Sequence, residues 1–199
     1  MKTKILVSAC LLGENCKYSG GNNKNEKVIA LSDKFEIIPV CPECFGGLPI
    51  PRVPSEIKDG RVYSKNGEDL TEAFMSGAEQ TLYIAKEANA PCAVLKENSP
   101  SCGFGKIYDG TFSGNKIDGN GITAQLLFDN EIQIFGESQT DKLRYLYEKK
   151  SNVNHIMCIY NYLLGCICIM LKTGKQGRNG ISRGNGKSEN QRCRRNQLY

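Results

Sequence analysis

Apolar residues in this chain of 199 gather into four short continuous runs, at residues 4–10, 35–41, 92–97 and 131–136. Continuous apolar runs of this length are typical of strands that are buried on both faces. Gly13 follows the first run and Pro42 follows the second, and both residue types interrupt strand pairing. The pattern therefore predicts four buried strands of a largely parallel sheet.

Helical patterns separate these strands, at residues 23–34, 69–89 and 121–130. The second is the strongest, because its apolar residues recur every three or four positions and acidic residues occupy its first turn. A loop rich in Gly and Pro and a hairpin around residues 59–69 precede it. This alternation predicts an α/β fold, a Rossmann-like open sheet that is mostly parallel with helices on both faces. Ligands of such sheets bind outside the carboxyl ends of the strands.

The periodic pattern stops near Lys142, which predicts a folded domain at residues 1–138 and a poorly specified C-terminal extension at residues 139–199. The net charge of +5 hides this division, since residues 142–199 hold 12 Lys or Arg and 2 Asp or Glu, whereas residues 1–141 hold 14 and 19. The extension is interpreted as a basic, disordered or non-native-looking segment, with a membrane or nucleic-acid tether as the alternative. The mildly acidic body gives no reason to expect a nucleic-acid partner.

Two segments of the extension resemble functional motifs but do not meet their requirements. An apolar run at residues 156–171 is shorter than the roughly 20 residues that a bilayer span needs. GNGKS at residues 184–188 lacks the preceding strand and first glycine of a phosphate loop. The chain opens with no secretory signal pattern, so we expect a cytoplasmic protein. Ten cysteines in such a chain indicate metal ligands, catalytic groups or buried side chains rather than disulfides.

Histidine is absent from the predicted domain, since the one histidine of the chain is His155. This excludes Ser-His-Asp and Cys-His nucleophiles, HExxH zinc sites and histidine acid–base catalysis within the domain. Chemistry there must use cysteine, carboxylate, lysine, tyrosine or serine side chains. The domain holds six cysteines, at positions 10, 16, 41, 44, 92 and 102.

Three of these cysteines follow the ends of predicted strands. Cys10 ends the first strand, Cys41 ends the second and Cys102 lies in the loop after the third. Because these ends lie side by side in a parallel sheet, we expect three thiols to converge at the ligand edge, as zinc or an iron–sulfur cluster requires. A structural zinc would need a fourth ligand, which Cys16 or Cys44 could supply.

Cys92 and Cys44 have simpler interpretations. Cys92 begins its strand, at the opposite end of the sheet, and is interpreted as a small buried hydrophobic residue. Cys41 and Cys44 share a CxxC spacing, which is also found in zinc half-sites and redox dithiols. Redox motifs place their cysteines at the start of a helix, whereas Pro42 and the Gly- and Pro-rich residues 46–49 indicate a loop here. A non-catalytic zinc-binding or sulfur-carrier module stays open as an alternative function.

Polar side chains accompany the thiols in these loops. Glu43 lies two residues beyond Cys41, so its carboxylate could face the same cavity, although a solvated loop charge explains it equally well. Ser101 precedes Cys102 and offers a hydroxyl, although a turn residue that caps its own backbone is the alternative.

Three long segments resemble the motifs of a known family: SACLLGENCKYSGGNNKN at residues 8–25, PVCPECFGGLPIPR at residues 39–52 and LKENSPSCGFGKIYDGTFSG at residues 95–114. They occur in the right order, and the resemblance extends over residues 1 to about 138. The family was long known as a domain of unknown function, and its characterised members are thiouracil desulfurases.

The resemblance implies a mechanism for this chain. A four-iron, four-sulfur cluster would be held by Cys10, Cys41 and Cys102, and its open iron would capture the sulfur of a thiolated pyrimidine, a small-molecule base. A water would replace that sulfur without net redox chemistry. Glu43 would be the general base, and Ser101 would position the substrate or relay a proton. Cys16 would substitute for a ligand or lie beside the ligands, and Cys44 would be a bystander.

Overall fold

A computed structural model of the chain describes residues 2–149. Eight strands follow in chain order: β1 Thr3–Ser8, β2 Phe35–Val40, β3 Ser55–Lys58, β4 Arg61–Ser64, β5 Cys92–Leu95, β6 Lys106–Tyr108, β7 Lys116–Asp118 and β8 Gln133–Gly136. The helices are α1 Glu26–Ile29, α2 Pro42–Phe45, α3 Thr71–Ala88, α4 Ile122–Asp129 and α5, residues 140–149.

The centre of the fold is a four-stranded sheet in the order β2-β1-β5-β8, in which every neighbouring pair is parallel. Consecutive residues of a strand point to opposite faces of the sheet, so each strand contributes side chains to a core on both faces. Helices cover both of these cores. Leu6 packs in a core with Ala85 of α3 and Leu127 of α4. Ile5 instead belongs to a second core that includes Val28 of α1. The predicted α/β fold class, with a mostly parallel sheet and helices on both faces, is confirmed.

The four predicted central strands all occur, each within three residues of its expected bounds. The predicted helix at residues 23–34 is shorter, because the Asn25 side chain accepts hydrogen bonds from the Lys27 and Val28 amides and starts α1 there. After one turn the chain continues as a 3₁₀ helix, Ala30–Asp33. The predicted hairpin is formed by β3 and β4, which pair antiparallel.

Some described elements were not predicted, among them α2 and the pair β6–β7. The loop predicted from Pro42 and residues 46–49 is wrong for Pro42–Phe45, because Pro42 begins the one-turn helix α2 and Cys41 is its N-cap residue. Proline is well tolerated at the first helical position, where no backbone N–H is needed. The antiparallel pair β6–β7 is another omission, and it lies outside the central sheet.

Helix α5 extends the packed body beyond the predicted boundary at residue 138. Leu143 of α5 has no exposed surface, and the Tyr147 ring lies edge-on to Phe35 with 5.0 Å between ring centres. The division into two domains stays a prediction, and the predictions for residues 150–199 lie outside the described residues. Within residues 2–149, no helix has the length and apolar content that crossing a membrane requires.

We expect Leu143→Ala to lower the free energy of unfolding of the full chain by about 2–4 kcal/mol, since it leaves a cavity in a closed core. Tyr145→Ala is the matched control, because Tyr145 lies on the same helix with 55% of its surface exposed. Urea unfolding curves, monitored by circular dichroism, give the free energy of unfolding of each variant. Equal stabilities of the two variants would show that α5 does not contribute to the core.

Candidate active site

A cavity of about 490 Å³ opens at the carboxyl ends of β1, β2 and β5, and the three predicted thiols lie on its wall. Cys10, Cys41 and Cys102 line it together with Glu43. These three strands are neighbours in the sheet, so the convergence expected from parallel topology is observed. Of the five predicted site residues, only Ser101 does not line the cavity.

Cys10 is held by a tight turn directly after β1. Residues Ala9–Leu12 form a 3₁₀ turn, and the loop that follows folds back onto it. The Asn23 amide donates to the Cys10 carbonyl oxygen at 2.8 Å, and the Asn25 amide donates to the Leu11 carbonyl oxygen at 2.9 Å. Residues 23–25, at the end of the first sequence motif, therefore hold the backbone of the turn that carries Cys10.

Cys41 is placed by the packing of α2 against α3. The two helices meet backbone to backbone at Gly46 and Gly77. A Cβ atom on Gly77 would overlap the Pro42 carbonyl, and one on Gly46 would overlap the Ala73 carbonyl. Only glycine permits this close approach. We call this contact the glycine seam, and it fixes the turn that carries both Cys41 and Glu43.

Cys102 lies in a buried turn after β5. The Ser99 hydroxyl oxygen accepts hydrogen bonds from the Ser101 and Cys102 amides, each at 3.1 Å. The Gly103 amide donates to the Ser99 carbonyl oxygen at 2.8 Å. Burial raises the pKa of the Cys102 thiol, against a hydrogen bond with Ser8 that lowers it.

A fourth thiol, that of Cys16, lies between Cys10 and Cys41 on the same cavity wall. Its hydrogen bonds lower the pKa of Cys10 to about 7 and that of Cys41 to about 6. The same hydrogen bonds raise the pKa of Cys16 itself. Cys10 and Cys41 are thus the two thiols that ionise readily, and the thiolate is the form that binds metal.

Neither of the remaining two described cysteines lines the cavity. Burial raises the pKa of the Cys44 thiol to about 11. Cys92 is fully buried, as interpreted from its place at the start of β5, and the Tyr147 hydroxyl lies 3.6 Å from its sulfur.

Glu43 forms a shielded ion pair with Arg52, whose role the sequence analysis missed. Glu43 Oε2 accepts a hydrogen bond from Arg52 Nε at 2.7 Å, and Arg52 Nη2 lies 2.7 Å from the same oxygen in an ion pair. Only 18% of the Glu43 side chain and 7% of the Arg52 side chain are exposed. Arg52 Nη2 also donates to the Cys16 carbonyl oxygen at 3.0 Å. The signal was present in the sequence, because Arg52 is the only cationic residue of the second motif.

The hydroxyl nearest to Glu43 in the third motif is that of Ser99, 3.5 Å from Glu43 Oε1. Ser101 is fully buried, and its hydroxyl lies 2.8 Å from the Thr123 hydroxyl on α4. The role predicted for Ser101 stays a prediction. The family resemblance points to Ser101, and the turn additionally directs the Ser99 hydroxyl toward the carboxylate.

The donor set of the cavity suits a metal cluster. Cys10, Cys41 and Cys102 offer three sulfur ligands, the type that iron–sulfur clusters use. Among residues 2–149, no three His, Cys, Asp or Glu side chains are grouped so that they could hold one metal ion. A four-iron cluster binds each thiolate at a different iron, so its ligands need not meet at one point.

Comparison with known proteins identifies the family. The profile of the 2-thiouracil desulfurase family matches residues 5–139. The chain is 44% identical over 149 residues to the uncharacterized protein YbbK of Bacillus subtilis (strain 168), covering 70% of this chain and 99% of that protein.

A solved structure described as a 4Fe-4S-dependent thiouracil desulfidase, TudS, superposes with a TM-score of 0.70 at 40% identity. The match covers 74% of this chain and 99% of TudS. The predicted family and the predicted class of enzyme, a desulfurase, are confirmed. The chain belongs to the 2-thiouracil desulfurase family.

Proposed function

We propose that this protein removes sulfur from a thiolated pyrimidine such as 2-thiouracil by hydrolysis. Water replaces the thiocarbonyl sulfur, so that C=S and H₂O give C=O and hydrogen sulfide, with no change in oxidation state. The observation that carries the proposal is the shared cavity, in which three thiols from three strand ends meet the carboxylate of Glu43. Family membership supports the same chemistry.

We propose Cys10, Cys41 and Cys102 as the ligands of a four-iron, four-sulfur cluster, the cofactor named in the description of TudS. Three protein ligands leave one of four irons without a cysteine. When bound, the cluster supplies a soft Lewis acid that attracts the substrate sulfur and makes it a better leaving group.

Glu43 is the proposed general base. With no histidine in residues 2–149, a carboxylate is the cavity side chain best suited to accept a proton from water near neutral pH. Arg52 holds Oε2 of this carboxylate, and the Ser99 hydroxyl contacts Oε1. The Ser99 oxygen already accepts two amide hydrogens, so its own proton is free to point toward Oε1. Oε1 is therefore the proposed proton acceptor, and Arg52 and Ser99 orient it.

The proposal predicts that anaerobically reconstituted protein converts 2-thiouracil to uracil with one sulfide released per uracil formed. The loaded protein should hold about four irons per chain and show the broad visible absorbance of an iron–sulfur cluster. Chromatography of the bases, colorimetric sulfide determination and metal analysis measure these quantities. Protein that holds one zinc and no iron, or that carries the cluster and releases no sulfide, would contradict the proposal.

A further inference from the structure

An aromatic side chain reaches the cavity from outside the central sheet. The loop at residues 109–115 joins β6 to β7, and Phe112 of this loop lines the same cavity as the thiols while remaining half-buried. Phe112 has no part in the ligand set or in the ion pair of Glu43 described above. Its ring adds an apolar, planar group to a cavity wall that also holds thiols, charged side chains and two tyrosines.

The Phe112 backbone is fixed by a carboxylate from the neighbouring hairpin. Glu56 of β3 is buried, and its Oε2 accepts the Phe112 amide hydrogen at 2.9 Å. Phe112 has φ +56°, a left-handed conformation that bulky residues adopt uncommonly. Such a conformation persists where the surrounding contacts determine it, and functional sites are where it is most often found.

A close contact of the loop with β3 adds to this constraint. A Cβ atom on Gly110 would lie 2.6 Å from the Ile57 carbonyl oxygen, so the loop rests directly on the β3 backbone. Asp109 Oδ1 accepts the Thr111 amide hydrogen at 3.0 Å and closes the turn just before Phe112. The loop that carries the ring is therefore held by the Asp109–Thr111 hydrogen bond, by the contact of Gly110 with β3 and by the Glu56–Phe112 hydrogen bond.

Three aromatic rings line the cavity, and their surroundings differ. The Lys17 ammonium lies 5.4 Å from the Tyr18 ring centre, and the Lys116 ammonium lies 5.6 Å from that of Tyr108. Among the described residues, no aromatic or cationic side chain stacks on Phe112. Phe112 is thus the cavity ring whose faces are not occupied by another side chain of these kinds.

We propose that Phe112 is the stacking surface for the pyrimidine ring of the substrate and that Glu56 is its positioning residue. The inference deepens the proposed function and rests on it. Nucleic-acid bases stack on aromatic side chains through their π-faces, whatever their ring substituents. Phe112 would therefore hold the ring plane while the polar cavity groups act on its edge.

Equilibrium binding of uracil to the cluster-loaded full chain tests the proposal, because uracil lacks sulfur and reports contacts to the ring. We expect Phe112→Leu, which keeps apolar volume and removes the ring, to weaken uracil binding about 5- to 100-fold in calorimetric titration. The KM for 2-thiouracil should rise by a similar factor, with a smaller effect on kcat. Phe112→Tyr should restore affinity, and Tyr83→Ala, at an exposed aromatic on α3, is the matched control.

The positioning role of Glu56 has its own readout. Glu56→Ala should weaken uracil binding when it is made alone. In the double variant with Phe112→Leu it should weaken binding no further than Phe112→Leu does, since both substitutions remove the same contact. Glu56→Gln should retain affinity, because its amide oxygen accepts the same Phe112 hydrogen. Additive effects of the two substitutions would overturn the positioning role.

The outcomes separate this inference from the function on which it rests. Binding that depends on Phe112, without sulfide release from 2-thiouracil, would overturn the proposed function and leave the stacking surface standing. Equal uracil affinities of the parent chain and Phe112→Leu, with iron content unchanged, would overturn the stacking surface alone. A parent chain that binds neither uracil nor 2-thiouracil would overturn both.

Discussion

Cys41→Ser is expected to abolish sulfide release and to lower the iron content from about four atoms per chain to near zero, whereas Cys44→Ser should keep both. The two residues share a CxxC spacing, but only Cys41 lines the cavity. The pKa of Cys41 is lowered to about 6, chiefly by a hydrogen bond from Cys16, whereas burial raises that of Cys44 to about 11. Metal analysis and visible spectra of anaerobically prepared protein make the comparison.

The same pair of variants separates the cluster from a zinc site. A zinc half-site built on the CxxC spacing would lose its metal equally in both variants, because each supplies one of two paired ligands. Equal loss of iron in Cys44→Ser and Cys41→Ser would therefore contradict the proposed ligand set. Cys10→Ser and Cys102→Ser should behave like Cys41→Ser.

Glu43→Gln is expected to lower kcat for 2-thiouracil by about 10²- to 10⁴-fold, the usual contribution of a general base, while the iron content is maintained. Glutamine preserves the shape of the side chain and can still accept a hydrogen bond from Arg52, but it cannot take a proton from water. Steady-state sulfide release, measured beside iron content, separates loss of the base from loss of the cofactor.

Two controls make the Glu43 result interpretable. Removing one charge of a shielded ion pair leaves Arg52 uncompensated and destabilises the fold, so the thermal midpoint of each variant must be measured. Glu36→Gln makes the same chemical change on β2, at an exposed surface ion pair with Lys4. A Glu43→Gln protein with the kcat of the parent chain would rule out the general-base assignment.

The strand ends were predictable because their signals are local. Continuous apolar runs mark β1, β2 and β5, and parallel pairing then brings Cys10, Cys41 and Cys102 to one edge without further information. The three cysteines are far apart in sequence, and they converge because β1, β2 and β5 are neighbours in the sheet. Helix α3 was equally accessible, since its apolar periodicity runs for nearly five turns.

The remaining features depend on contacts between distant parts of the chain. Arg52 pairs with Glu43 because residues 46–51 fold back toward the cavity, and α2 forms in a segment whose composition indicates a loop. The β6–β7 pair is mostly exposed, with only Ile107 buried among its residues, so it lacks the alternation that marks a half-buried strand. The orientation of the Ser101 hydroxyl follows from α4, which supplies Thr123, whereas that of Ser99 follows from its hydrogen bonds from the Ser101 and Cys102 amides.

The glycine seam sets the separation of α2 from α3, so a substitution at the seam changes that separation without altering any residue of the cavity wall. Gly77 lies on α3, outside the cavity wall, yet a side chain there must displace the Pro42 carbonyl, next to Cys41. Gly77→Ala and Gly77→Val would then shift the turn that carries Cys41 and Glu43 by increasing amounts relative to Cys10 and Cys102. Reactivity could be tuned through spacing alone, with every reacting group chemically unchanged.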